Sequence, residues 1–321
     1  MKRAPTIIAI ALLAMSTVVI RAQDYPNHFL KLVHGFPSGG NVDVLARLMA
    51  EEMVKGFGQP IVVESRPGAV GTLAAEYVAR SAPDGYTLLF LPSAHTVTAA
   101  IYKSVKYDPV DDFAWISTVS FYPFVLCVRQ DSKWQSLQAL LQEAKSKPDG
   151  LSYGSTGMGS IHHMTIELLS RASHTRFVNV SYRGEGQVLL GILSGDIDFA
   201  VTTVTVAAPQ IRSGAVRALG VTGKTRWRDL PDIPTFEEAG LPGFEVISWS
   251  GFAAPAGTAQ PIIERIHAEV QRSISVASVR ERLEALGGDV RAAEPEEMRA
   301  LVARQVALWA KLARDANIQA Q

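Results

Sequence analysis

The stretch Phe36-Pro37-Ser38-Gly39-Gly40-Asn41-Val42-Asp43 restricts the fold more than any other part of the chain. Before it, residues 29–34 alternate apolar and polar side chains in the manner of a strand. After it, Val44, Leu45, Leu48 and Met49 recur at helical spacing. A strand, a glycine turn and a helix start therefore follow one another. Asn41 is the expected N-cap, and Asp43 falls in the first turn, where negative charge is favoured. The two glycines leave backbone amides uncovered. Such a turn either only redirects the chain or holds an anion at the helix N-terminus, where roughly half a positive charge accumulates. It is not a nucleotide loop, because it lacks the lysine of a P-loop and the third glycine of a dinucleotide fingerprint.

The same unit recurs. A strand over 61–64 leads into the breaker-rich turn 66–71 and a helix opening at Thr72. A strand over 86–91 is followed by a loop at 92–95. Two strand–loop–helix units and a third strand predict a parallel α/β sheet. Two further strands are expected at 116–119 and 124–128, and Ser136 caps a helix. Ser152 and Tyr153 then enter the run Gly154-Ser155-Thr156-Gly157-Met158-Gly159-Ser160, which feeds a helix carrying Met164, Ile166, Leu168 and Leu169. Strands at 177–180, 199–204 and 216–221, interleaved with helices at 187–193 and 207–211, predict a second α/β domain. A length of 321 residues accommodates two domains of ~150 each. An extended segment at 245–254 and amphipathic helices at 262–276, 279–286 and 294–313 complete the chain, with Pro295 at a helix start.

Acidic and basic side chains balance at 31 each, so nothing points to nucleic acid as a partner. The single cysteine, Cys127, sits in an apolar run and reads as a small buried hydrophobe. Lys2 and Arg3 precede the apolar run 4–20, which contains Ser16 and Thr17 and falls short of the ~20 apolar residues of a membrane span. Ala22 offers a small residue before Gln23, with Arg21 the one awkward neighbour. Residues 1–22 are expected to be a secretory signal peptide, and the mature protein to be soluble and exported.

Chemistry is sparse. In the second glycine-rich loop the amides, including those of Gly157 and Gly159, and the hydroxyls of Ser155, Thr156 and Ser160 are donors for a ligand oxyanion. No serine there lies in a nucleophile elbow. His163 and Glu167 share a helix face, but no matching third ligand completes a metal site, and His163 reads as a donor to the loop or the ligand. Ser93, His95 and Asp108 can be written as a hydrolase set, yet nothing specifies an activated nucleophile. Tyr182-Arg183-Gly184 follows a strand and presents a phenol and a guanidinium either to a cleft or to solvent. No metal and no cofactor are expected.

These loops, in this order, resemble the Bug-type (TctC-like) periplasmic solute-binding proteins, receptors of tripartite tricarboxylate transporters. The resemblance runs from Tyr25 to about the end of the chain. It rests on Phe36 to Asp43, Glu64 to Thr72, Ala82 to Leu89, Tyr107 to Phe113, Tyr153 to Ser160 with His163, Tyr182 to Gly184, Leu230 to Thr235, Glu238 to Phe244 and Ala254 to Thr258. It implies an α/β, two-lobed Venus-flytrap fold of the periplasmic-binding-protein type II class, with an open mixed sheet flanked by helices in each lobe. Lobe one would comprise 24–123 and 247–321, and lobe two 124–246. The resemblance implies a non-enzymatic, monomeric periplasmic receptor that takes a small mono- or dicarboxylic acid between the lobes, with membrane permease subunits as partners. On one side Phe36, Ser38, Gly39, Gly40, Asp43, Thr72, Ser93 and His95 would line the site. On the other it would be lined by Ser155, Thr156, Gly157, Gly159, Ser160, His163, Tyr182, Arg183, Thr202 and Thr203. Three positions depart from the family pattern. Val70 stands where a glycine is usual. Thr202-Thr203 replaces a pair that often includes an acid, which disfavours an amino-acid ligand. His34 occupies a normally apolar strand position. The rival readings are a secreted α/β hydrolase and a binding or signalling module without a permease.

Overall fold

The computed structural model describes residues 25–102, 105–316 and 318; the expected signal peptide at 1–22 and the lobe boundary at 24 lie outside the described residues. The first strands and helices alternate as β1 (Leu30–His34), α1 (Asn41–Phe57), β2 (Ile61–Ser65), α2 (Thr72–Ala79), β3 (Thr87–Pro92) and α3 (Ala94–Ile101). Then follow β4 (Phe113–Arg129), α4 (Leu137–Ser146), β5 (Ser152–Ser155), α5 (Ile161–Ser173), β6 (Val178–Ser181), α6 (Glu185–Ser194), β7 (Phe199–Thr203), α7 (Val204–Arg212) and β8 (Val216–Val221). The return is β9 (Ile247–Pro255), α8 (Gln260–Ser275), α9 (Ala277–Ala285), β10 (Asp289–Val290) and α10 (Pro295–Asp315).

Three expectations need correction. The N-cap of α1 is Gly40, and Asn41 is already helical. The loop expected at 92–95 starts α3, whose β-branched Thr96, Val97 and Thr98 are weak helix formers but are buried, so packing overrides propensity. The strands expected at 116–119 and 124–128 are one strand of 17 residues. Pro123 marks the middle of that strand and looks like a breaker in sequence. It is tolerated because β4 changes partner there, pairing with β9 up to Pro123 and with β7 from Phe124.

That change of partner sets the architecture. β3 and β4 both run antiparallel to β9, so β1, β2 and β3 run in the sense of β4. β7 runs antiparallel to β4 and parallel to β5 and β6. The two sets of strands therefore point their C-terminal ends at each other. They meet at the middle of β4, where Pro92 pairs with Ser250, itself opposite Ser120, and Thr203 pairs with Phe124. One apolar cluster gathers Leu32, Met49, Phe90, Phe252 and Ile266 under α1 and α8. Another gathers Phe124, Leu137, Met164, Phe199 and Phe236. α10 touches more than one of these cores: Met298 and Val302 pack with Trp115 and Trp249, while Trp309, Leu312 and Ala313 join the cluster of Phe124. Its start follows from Pro295 at the first turn and a reciprocal capping box between Glu294 and Glu297. Cys127 is buried in β4, and burial pushes its thiol up to about 12, away from reactivity. Among the described residues no helix is long and apolar enough to cross a membrane.

Candidate functional site

The loop from β1 to α1 is tied down by one carboxylate. Asp43 Oδ1 accepts from His34 Nε2–H (2.9 Å), and Oδ2 accepts from the Gly39 amide (2.9 Å) and Arg47 Nε–H (3.0 Å). The Arg47 guanidinium is the main cause that holds the Asp43 carboxyl at about 2. Burial lowers the pKa of His34, so its imidazole is neutral and carries its proton on Nε2. This accounts for His34 in an apolar strand: it is the buried post to which Asp43 is fastened. Asp43 thus faces inward, and the sequence expectation about the glycines is corrected. The Gly39 amide goes to Asp43 and the Gly40 amide to the Pro37 carbonyl (3.2 Å). The donors left over are the first-turn amides of Asn41, Val42 and Asp43, for which a helix has no internal acceptor, beside the exposed Ser38.

The neighbouring loop after β2 is held by close approach. A Cβ on Gly35 would lie 2.3 Å from the Gly71 Cα, so this approach of backbones needs glycine at 35, while Gly71 has φ 93°, which favours glycine on its own account. Ser65 Oγ–H donates to the Phe36 carbonyl (2.6 Å), and Thr72 Oγ1–H donates to the Ala69 carbonyl (3.0 Å). Val70, the residue at the usual glycine position, has φ 55°, a conformation strained for a β-branched side chain. After β3, Ser93 and Ser248 share a hydroxyl bond (2.9 Å). His95 Nε2–H donates to the Pro109 carbonyl (2.9 Å), its ring stacks on Tyr107, and burial lowers its pKa to about 4. Asp108 accepts the amides of Val110 and Asp111. Ser93, His95 and Asp108 are each engaged elsewhere, and no nucleophile–base pair forms among them.

The loop from β5 to α5 uses side chains to organise its amides. Ser160 is the N-cap, its Oγ accepting the His163 amide (3.2 Å). The Gly157 amide donates to Ser155 Oγ (3.2 Å), and the Gly159 amide donates to His163 Nδ1 (3.2 Å). His163 therefore serves the loop as an acceptor, not the donor expected from sequence. Burial lowers its pKa to about 4, which keeps the ring neutral with its proton on Nε2, 3.8 Å from Glu167. The Ser160 hydroxyl proton and the amides of Ile161 and His162 are left for an outside acceptor. Among the described residues, no group of three or more His, Cys, Asp or Glu side chains is placed to hold a metal.

Beside this loop the structure adds residues not anticipated as site residues. Thr156 Oγ1 bonds His162 Nδ1 (3.0 Å), and His162 Nε2 lies 3.4 Å from Glu185 Oε1. Glu185 Oε2 accepts both the amide (2.7 Å) and the hydroxyl (2.8 Å) of Thr203. An acid from α6, Glu185, thus stands against the end of β7, where Thr202-Thr203 supplies none. No local pattern reveals it, because Glu185 meets Thr203 only through packing. The Thr202 hydroxyl is buried without a partner among the described residues. Tyr182 turns away from the loops and lies along α6, its ring close to Gly154 and its hydroxyl close to Gly191. The Arg183 side chain is exposed, while its amide donates to Gln187.

Comparison with known proteins gives the family and the fold. Residues 45–318 match the family described as "Tripartite tricarboxylate transporter family receptor". A UPF0065 protein encoded in the tcbD–tcbE intergenic region of Pseudomonas sp. strain P51 is 35% identical over 306 residues, covering 95% of this chain and 91% of the relative. The structure of the periplasmic binding protein BugD is similar with a TM-score of 0.78 and 32% identity, over 92% of this chain and 100% of that one. MatC from Rhodopseudomonas palustris, solved with bound malate, has a TM-score of 0.77 and 34% identity, over 90% and 99% of the two chains. The chain has the two-lobed periplasmic-binding-protein fold and belongs to the tripartite tricarboxylate transporter receptor family of periplasmic solute receptors.

Proposed function

We propose that this receptor takes a small carboxylate in the gap at the middle of β4, between the N-terminus of α1 and the N-terminus of α5. The observation that carries this reading is the opposed strand sense, which aims the C-terminal ends of β1 and β3 and those of β5 and β7 at the same point. Each set delivers one glycine-rich loop with unspent first-turn amides. Neither loop contains lysine or arginine, so helix ends, amides and hydroxyls supply the neutralising field. Each helix end contributes ~0.3–1 kcal/mol when exposed and up to ~2 when partly buried, and each hydrogen bond to a charged group ~1.5–3 kcal/mol. Several such donors reach the ~8 kcal/mol that micromolar binding needs, net of the cost of association. That MatC holds malate supports a carboxylate as the ligand class. The lobes divide at 123/124 and 246/247, where β4 exchanges β9 for β7. The protein is exported by residues 1–22, acts as a monomer without catalysing a reaction, and passes its ligand to a membrane permease.

Calorimetry with a panel of small carboxylates and the corresponding amides tests the reading. The acids bind and the amides do not. Gly40→Val abolishes binding, since its Cβ would sit 3.2 Å from the Pro37 carbonyl and its branches cover the neighbouring amides. Ser160→Ala weakens it by roughly 1–3 kcal/mol through one lost charge-assisted bond. Wild-type affinity in both variants places the carboxylate elsewhere and defeats the proposal.

A further inference from the structure

We infer that Glu185 is a specificity-determining residue of this site, which selects carboxylates whose far end is neutral or cationic and excludes a second carboxylate. The inference rests on the carboxylate reading above.

Glu185 opens α6, and its carboxylate reaches the Thr203 amide and hydroxyl at 2.7 and 2.8 Å; Thr203 is the N-cap residue of α7. The carboxylate thus lies where two helix N-termini converge, and it consumes donors that an outside anion would otherwise meet. His162 stands 3.4 Å away on the other side and spends its second ring nitrogen on Thr156. Thr156, His162, Glu185 and Thr203 form one chain of contacts that ends on Thr205, whose hydroxyl bonds that of Thr203 (2.8 Å). Burial works against charge on Glu185, but His162 and the Thr203 donors outweigh it and hold the carboxyl below its usual range, so it is an anion at neutral pH. About a fifth of the Glu185 side chain remains exposed, at 21%. At this end of β5 and β7 the Ser160 hydroxyl and the first-turn amides of α5 stay free for one ligand carboxylate, and the buried Thr202 hydroxyl also has no partner among the described residues. The α6–α7 position is already filled by the protein's own acid. A ligand lying across both meets donors at one end and an anion at the other. An ammonium, hydroxyl or amide N–H is complementary there, whereas a second carboxylate is repelled.

The test is calorimetry at neutral pH with matched sets: succinate, succinamate and 4-aminobutanoate, and adipate, adipamate and 6-aminohexanoate. In the wild-type chain the monoamide or the ω-amino acid binds at least tenfold tighter than the diacid of the same length. In Glu185→Gln, with folding checked by circular dichroism, that ratio collapses. The diacid gains at least tenfold, the ω-amino acid weakens, and the monoamide changes less than threefold. A wild-type chain that binds a diacid as tightly as both the monoamide and the ω-amino acid of the same length overturns the inference and leaves the carboxylate reading standing, whether or not the variant folds. An unchanged ratio in a folded variant also overturns it. No binding of any of the six compounds removes the carboxylate reading and this inference with it.

Discussion

His163 illustrates how a single side chain can carry both the loop geometry and a pH response. It accepts the Gly159 amide through Nδ1, a role open only to the neutral ring, and burial lowers its pKa from 6.5 to about 4. The unfolded chain takes a proton as pH falls through about 6.5, and the folded chain does not until about 4. Stability is therefore fully present above that window and declines as pH falls across it. By about pH 4.5 the loss from this residue amounts to roughly 2–3 kcal/mol. His95, also lowered to about 4 by burial, adds a decline of the same sign. His163→Asn keeps an acceptor near the Nδ1 position and removes the titration. Urea denaturation at about pH 7 and 4.5 should show a smaller loss in the variant than in the wild type; equal losses would mean that His163 titrates alike in both states.

At the scale of elements, the two loops beside β1 are one unit because Gly35 and Gly71 touch. The sequence marks Gly71 as part of a breaker-rich turn, but nothing local singles out Gly35. Gly35→Ala places a methyl against backbone that cannot rotate away, since the Cβ would lie 2.3 Å from the Gly71 Cα. Overpacking of this kind costs about 1–3 kcal/mol. The shift would also move the Phe36 carbonyl that Ser65 holds and the α2 start that Thr72 fixes. The expected result is a lower denaturation midpoint together with weaker ligand binding. A variant with unaltered stability would show that these loops pack apart in solution.

On the scale of the whole molecule, β4 runs through both halves, and α3 and α10 pack across them, Val97, Ile101 and Trp309 joining the cluster of Phe124. β4 exchanges β9 for β7 between Pro123 and Phe124, so no single strand pair spans that point and closure about it is the motion this topology permits. Small-angle scattering with a saturating carboxylate should give a smaller radius of gyration than the free protein. An unchanged profile at proven saturation would rule out closure as the response to ligand.

The sequence by itself determined the alternation of strands and helices, both glycine-rich loops, the Ser136 cap and the Pro295 helix start. Each follows from turn chemistry or periodicity within a few residues. It also marked His34, Val70 and Thr202-Thr203 as departures, without saying what they do. Tertiary structure decided the rest, because the partners are distant in the chain. Ser93 meets Ser248 across 155 positions, and Thr203 meets Glu185 across 18. Only assembly shows that Asp43 spends its carboxylate on His34, Gly39 and Arg47 and that the Gly40 amide goes to Pro37, so that the amides of Asn41, Val42 and Asp43 rather than those of the glycines remain free. Only assembly turns Tyr182 onto α6, and lets Pro123 sit inside a continuous strand by giving that strand a different neighbour on each side of it. Turn and helix-end preferences act within a few residues, whereas the choice of hydrogen-bond partner for a buried polar group depends on what the fold brings beside it.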